Sequence, residues 1–175
     1  MRFLSCFIIL CFFTGLPAYS QAYDPFDHSD RAMNALLGWG ALSIATGTGM
    51  LFSGNARVQY AGIQNIAWGA IDSGIAFWGK SGNVNDRLRL SPQQKTINFR
   101  QALWINGLLD VVYIGVGYAL YRNGKNERVI GSGVGVMIQG SFLFAFDWIN
   151  YALTLLNCVR VCAVFAVPVV RSAFR

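Results

Sequence analysis

The sequence predicts an all-α integral membrane four-helix bundle preceded by an N-terminal signal peptide. Three observations carry that reading. Hydrophobic residues make up 54% of the 175-residue chain and charged residues 13%, about half the charged share of an ordinary soluble domain, and mean hydropathy is +0.42. The apolar residues fall into four blocks of membrane-spanning length, none of which contains Lys or Arg. The chain also opens with a basic start, an apolar run and a pair of small residues.

That opening is the first element. Met1 and Arg2 precede the apolar run Phe3 to Leu16, which Pro17 breaks, and Ser20 and Ala22 stand at the −3 and −1 positions of a cut before Tyr23. This is the layout of a secretory signal peptide over residues 1–22; the competing reading is an uncleaved anchor helix. Cys6 and Cys11 would leave with it. Cys158 and Cys162 remain, one helical turn apart, with no histidine beside them to complete a zinc site. They read as small apolar residues sooner than as a redox pair.

An acidic stretch follows, with Asp24, Asp27, Asp30 and the only histidine, His28. The four-helix transmembrane domain is expected over 23–156, with spans at Met33–Phe52, Gln59–Trp78, Ala102–Tyr121 and Val129–Leu156. Each can cross a hydrocarbon core of ~30 Å at ~1.5 Å per residue. Ser53–Val58 and Arg122–Arg128 are tight turns with Gly and Asn, making two helical hairpins. Between the hairpins, Ser91-Pro92-Gln93-Gln94 reads as a helix start: Ser91 caps, Pro92 suits the first turn, and Gln94 can reach back to the cap. Residues 157–175 form a basic, apolar C-terminal tail. Its run Val161–Val170 is too short to span and contains Pro168, which points to an interfacial segment.

Small residues recur at seven-residue spacing: Gly40, Gly47 and Gly54; Gly62, Gly69 and Ala76; Gly133 and Gly140. Lipid offers no hydrophobic drive for helix pairing, so close backbone approach must supply it. These stripes are expected to pack the bundle, or to join it to a second copy or another membrane protein. The hairpins resemble each other weakly: Asn34-Ala-Leu-Leu against Asn106-Gly-Leu-Leu, Gly47 and Gly49 against Gly115 and Gly117, Gly62 and Gly69 against Gly133 and Gly140.

Asn65-Ile-Ala-Trp-Gly-Ala-Ile-Asp72 and Gly133-Val-Gly-Val-Met-Ile-Gln-Gly-Ser-Phe-Leu-Phe-Ala-Phe-Asp147 resemble the signatures of an uncharacterised family of small bacterial four-span membrane proteins. The resemblance covers about Arg31–Leu155. It implies a four-span fold and a place in the cell envelope, and it brings no reaction with it.

The chemistry lies in the polar groups inside the spans. Asp72, Asp110 and Asp147 are the only carboxyls there, and no span offers a basic partner. Measured from the membrane face that receives Tyr23, side A, they sit at depths of ~9, ~12 and ~14 Å at 1.5 Å per residue. Asn106 and Asn150 lie nearer side A, Asn65 and Gln139 nearer the opposite face, side B. Intramembrane acids usually face the bundle interior, so these seven residues outline a polar pocket for a proton, a cation or a small polar ligand. The competing reading is glue, hydrogen bonds across helices worth roughly 1 kcal/mol each.

No enzyme is expected. The one histidine lies outside the spans, so Ser43, Ser73 and Ser141 lack a base, haem lacks axial ligands, and Gly47-Thr-Gly-Met lies within a helix rather than in a phosphate loop. No cofactor or metal is expected. The charge of +6, from 14 Lys+Arg against 8 Asp+Glu, is spread through the polar connections rather than gathered into a nucleic-acid-binding motif. The expected surroundings are the lipid bilayer of a bacterial cytoplasmic membrane. The signal segment places side A outside, whereas most Lys and Arg residues lie on that same side and argue for the reverse. The leading functional expectation is a non-enzymatic packing or partner-binding role; the alternative is a proton- or cation-coupled carrier module using the three aspartates.

Overall fold

A computed structural model describes the backbone of residues 23–172 and side chains as far as Asn157. Residues 1–22, expected from the sequence to be a signal peptide and containing Cys6 and Cys11, and the side chains of Cys158 and Cys162 lie outside the described residues. Four helices account for almost all of the described chain: α1 Pro25–Leu51, α2 Ala56–Arg89, α3 Pro92–Asn123 and α4 Glu127–Ser172.

Each start has a local cause. Asp24 caps α1 by accepting from the Phe26 amide at 2.8 Å, with Pro25 at the first helical position, where its missing N–H costs nothing. Asn55 caps α2 through the Arg57 amide. Ser91 caps α3 through the Gln94 amide at 3.2 Å, again with proline next in line. The Gln94 side chain does not reach back to the cap. It bonds Asn98 one turn on, so half of the expected capping box forms.

The helices outrun their apolar blocks. α2 continues through Ser81, Asn83 and Asp86 to Arg89, so the stretch expected as a connection is two helices joined at Leu90 and Ser91. Hydropathy locates where a helix leaves an apolar phase. It does not locate where the backbone stops being helical. α4 likewise does not end near Leu156 but runs as one 46-residue helix to Ser172, Pro168 included, so the tail is helical and continuous with the last span.

α1 pairs with α2 and α3 with α4 as antiparallel hairpins, and α2 against α4, which run the same way, joins the two; α1 touches α3 more sparsely. Glycine decides how close these helices come. A Cβ on Gly40 would lie 2.6 Å from the Gly69 carbonyl oxygen and one on Gly69 the same distance from that of Gly40; Gly47 and Gly62 repeat the arrangement at 2.6 and 2.7 Å. Gly117 and Gly133 do so in the second hairpin at 2.9 and 2.6 Å. The repeat therefore registers Gly47 with Gly117. The sequence pattern had set Gly47 against Gly115 and Gly49 against Gly117; that register is corrected, since Gly115 and Gly49 face open space. Between hairpins, Gly131 and Gly135 sit one turn apart on α4 against the backbone of Arg57 and Ala61, a small-xxx-small contact.

The distribution of polarity runs opposite to that of a water-soluble bundle. Buried apolar side chains are few, with Phe26, Leu36, Phe99 and Leu103 the largest, whereas His28, Ser43, Asn65, Asp72, Asn83, Lys95, Asp110, Gln139, Asp147 and Thr154 are all buried. The outward positions are apolar, among them Leu37, Leu42, Ile71, Phe77, Trp104, Ile105, Leu109, Val112 and Val116. Two helical stretches, Pro92–Asn123 and Glu127–Asn157, are long and apolar enough to cross a membrane by length and composition. α1 and α2 have the length but are not among the helices apolar enough to cross by that measure.

Candidate functional site

The buried polar groups form three levels along the bundle. Nearest side A, His28 of α1 meets Asn150 of α4: Nε2 lies 3.0 Å from Asn150 Oδ1, and the Asn150 amide nitrogen donates to the Phe146 carbonyl at 2.8 Å. That orientation leaves Oδ1 as acceptor, so His28 Nε2 carries the proton and Nδ1 accepts from the Tyr23 hydroxyl at 3.2 Å. Edge contacts with the rings of Tyr23 and Phe99 complete the surroundings. Burial holds the imidazole below its ordinary value of 6.5, the Asn150 bond opposes that shift, and Arg31 reinforces it. Burial also raises the Tyr23 phenol to about 12. Both groups therefore stay neutral at neutral pH.

The acidic stretch at the start of α1 is held by the polar end of α2. Arg87 reaches Asp24, Asp27 and Asp30 at 3.5, 2.5 and 3.4 Å, and its guanidinium lies over the Phe26 ring at 5.2 Å. Buried Lys95 pairs with Asp86 at 2.9 Å, and Asn83 donates to the Phe26 carbonyl at 2.9 Å. Sequence reading treated these residues as a flanking stretch and a connection. Their complementary charges were the available signal that the two meet.

Asp72, Asp110 and Asp147 make the middle level. Their exposures are 1%, 2% and 5%, so all three face the interior from three different helices. Asp110 and Asp147 lie within hydrogen-bonding reach of each other, and Asp72 is close enough to both to interact with them. Asp72 Oδ2 and Asp110 Oδ2 are buried without a hydrogen-bond donor.

The third level is an amide hub. Gln139 of α4, 1% exposed, donates through Nε2 to Ser43 Oγ of α1 at 3.1 Å and to Asn65 Oδ1 of α2 at 2.7 Å, and its Oε1 accepts from the Trp39 indole at 2.8 Å. Trp39 also stacks on Phe142 with ring centres 3.8 Å apart. One side chain thus joins three helices with its polar groups paired.

Six of the seven expected pocket residues therefore point inward and fall into these levels: Asn150 at the first, the aspartates at the second, Asn65 and Gln139 at the third. Asn106 does not join them. It is exposed on α3, where the buried stripe runs through Leu103, Gly107, Asp110 and Gly117. Phe144, three residues before Asp147 on α4, is exposed as well. Among the described residues no three His, Cys, Asp or Glu side chains are placed to hold a metal ion. A shallow groove lined by Ile71, Gly74, Ile75, Trp78 and Gly79 runs along the outer face of α2.

The model of a family of unknown function (DUF6992) matches residues 35–148, which takes in all three aspartates and the amide hub. No curated protein and no solved structure matches the chain.

Proposed function

From the premise that the chain belongs to this family of unknown function, which brings no activity with it, we propose that the protein is a small four-span membrane protein of the bacterial cytoplasmic membrane with a packing or partner-binding role. The observation that carries the reading is the inverted polarity: acids, amides and a histidine lie inside while Leu, Ile, Val, Phe and Trp line the outside. In water that arrangement would expose a large apolar surface, of the kind that marks a membrane or protein contact. In lipid it is the favourable one, since polar side chains there turn toward the bundle interior. Trp78, 81% exposed, and Trp104 stand at the side-A ends of their apolar stretches, with Tyr121 at the side-B end, as in the aromatic belts of membrane proteins.

Apart from Gly54, the stripe glycines are in contact within the chain, so a partner would meet mainly other positions. Gly74, with open space above it, lies in the α2 groove and is a position where a partner helix could approach closely. No bond-making chemistry is assigned to the protein. The proposal is tested by expressing the full chain and extracting the membrane fraction with alkaline carbonate. A membrane-spanning protein stays with the lipid; release into the supernatant overturns the reading.

A second reading, a proton- or cation-coupled module, is favoured by one observation: the three buried aspartates meet with no basic group among them. Replacing all three with Asn separates it from glue, since Asn keeps a donor and an acceptor but holds no exchangeable acid proton. If the protein serves coupling, the triple variant folds and loses its phenotype. Retained phenotype removes this reading.

A further inference from the structure

We infer that Asp72, Asp110 and Asp147 form a proton-binding site in which the three carboxyls are bridged by the protons they hold rather than by a metal ion. The inference rests on the membrane reading above and deepens its second form. Three helices deliver the carboxyls to one depth, and each is almost completely shielded from solvent. Asp110 lies within hydrogen-bonding reach of Asp147, and Asp72 is close to both. Independently of that clustering, Asp72 Oδ2 and Asp110 Oδ2 are buried with no protein donor. A buried carboxylate oxygen without a donor is costly, and protonating its neighbour supplies one.

The charged surroundings leave no other source of compensation. α1 has no ionisable residue between Arg31 and the end of the helix, α2 and α4 contribute only Asp72 and Asp147 at this level, and α3 adds Asp110 and Tyr113, whose ring packs edge-on against Trp68. The side chains are not arranged as ligands for a metal ion. On the side-A side of the aspartates lies the His28–Asn150 bond, and on the side-B side the Gln139 hub.

The test is infrared spectroscopy of the full chain in phosphatidylcholine vesicles, titrated with acid and base, with sodium and calcium chloride as separate arms. The carbonyl stretch of a neutral carboxylic acid is expected at neutral pH, shifted on exchange into heavy water and indifferent to both salts. Asp110→Asn should shift the remaining acid band, because it removes the carboxyl within hydrogen-bonding reach of Asp147. Three results overturn the inference: no neutral-acid band at neutral pH, loss of the band on adding either cation, or an unmoved band in Asp110→Asn. If that variant does not fold, 13C-aspartate labelling of the unaltered chain locates the band on aspartate or removes it from there. Failure of the membrane reading shows separately, as release by alkaline carbonate whatever the spectrum.

Discussion

His28 Nε2 stands 3.0 Å from Asn150 Oδ1, and this bond ties the first turn of α1 to α4 across most of the chain. It is the side-A counterpart of the Gln139 hub. Both join α1 to α4 through long side chains rather than through backbone approach, which glycine provides for α1–α2, α3–α4 and α2–α4.

His28 makes stability depend on pH in a defined direction. Its folded value is lowered from 6.5, first by burial, so below 6.5 the unfolded chain binds a proton that the folded chain does not. Stability is therefore full above pH 6.5, declines as pH falls below it, and levels off once the folded value is passed. The groups facing the ring are Tyr23, Asn150, Phe99 and, at longer range, Arg31. Thermal unfolding in detergent between about pH 8 and 5 should show the decline, and His28→Phe should flatten it. An equal decline in the variant would place its origin elsewhere.

Glycine contact should separate two classes of substitution. Gly47→Val, Gly62→Val and Gly69→Val each put methyl groups against a carbonyl already within 2.7 Å of an ideal Cβ. Each should cost about 1–3 kcal/mol or more by overpacking. Gly74→Val, which meets open space, should stay within about 0.5 kcal/mol. Unfolding midpoints of the four variants decide it. A Gly62→Val variant as stable as Gly74→Val would mean that the α1–α2 interface is not as close as described.

Gln139→Leu keeps the volume of the side chain roughly and removes the hub. The Trp39 indole and the carbonyl of Asn65 then lose their partner inside the bundle. Interhelical polar contacts in membrane proteins are worth about 1–2 kcal/mol at the upper end, so a loss of that order is expected, with Gln139→Glu tolerated less well still because it brings a fourth acid toward the aspartates. A blue-shifted or unchanged Trp39 emission in Gln139→Leu, with no loss of stability, would show that the bond is not formed.

The aspartates were legible in the sequence because cost constrains them: an acid in a span has one affordable direction, and depth follows from counting along the helix. Asn106 was not, because an amide near a helix end can be solvated at the interface and so carries no such constraint. It stands one position before Gly107, and that single step of about 100° moves it from the Leu103–Gly107–Asp110–Gly117 stripe to the outer face. Trp39 and Ser43 were missed for the opposite reason. Alone in an apolar helix each reads as packing, and only the partner on α4 makes them polar contacts. The repeat was seen, but with Gly47 set against Gly115, two residues out of register, because the pattern of glycines two apart matches either way. Close contact with Gly133 selects Gly117 over Gly115.

With the four helices spanning the membrane as proposed, the orientation of the bundle depends on which signal acts first. The two hairpins leave Tyr23 and the distal ends of α2 and α4 on the same side, where Lys80, Arg87, Arg89, Lys95 and Arg100 also lie. By the positive-inside rule that side would be cytoplasmic. Pairing of Arg87 with three aspartates and of Lys95 with Asp86 does not weaken this argument, because orientation is set during insertion, before the folded ion pairs exist, and acidic residues contribute little to the rule. What opposes it is order of synthesis. The first segment to emerge has the signal-peptide layout and is followed by Asp24, Asp27 and Asp30 rather than by cations, which favours export of Tyr23. Once the first hairpin is committed, the short turns at Gly54 and Gly124 fix the remaining spans relative to it. A reporter fused after Arg175 that is active only when exported should therefore be active, and one placed in the Ser53–Asn55 turn should not. A fusion after Arg175 active only in the cytoplasm would show that the clustered Lys and Arg residues, not the N-terminal segment, orient the protein.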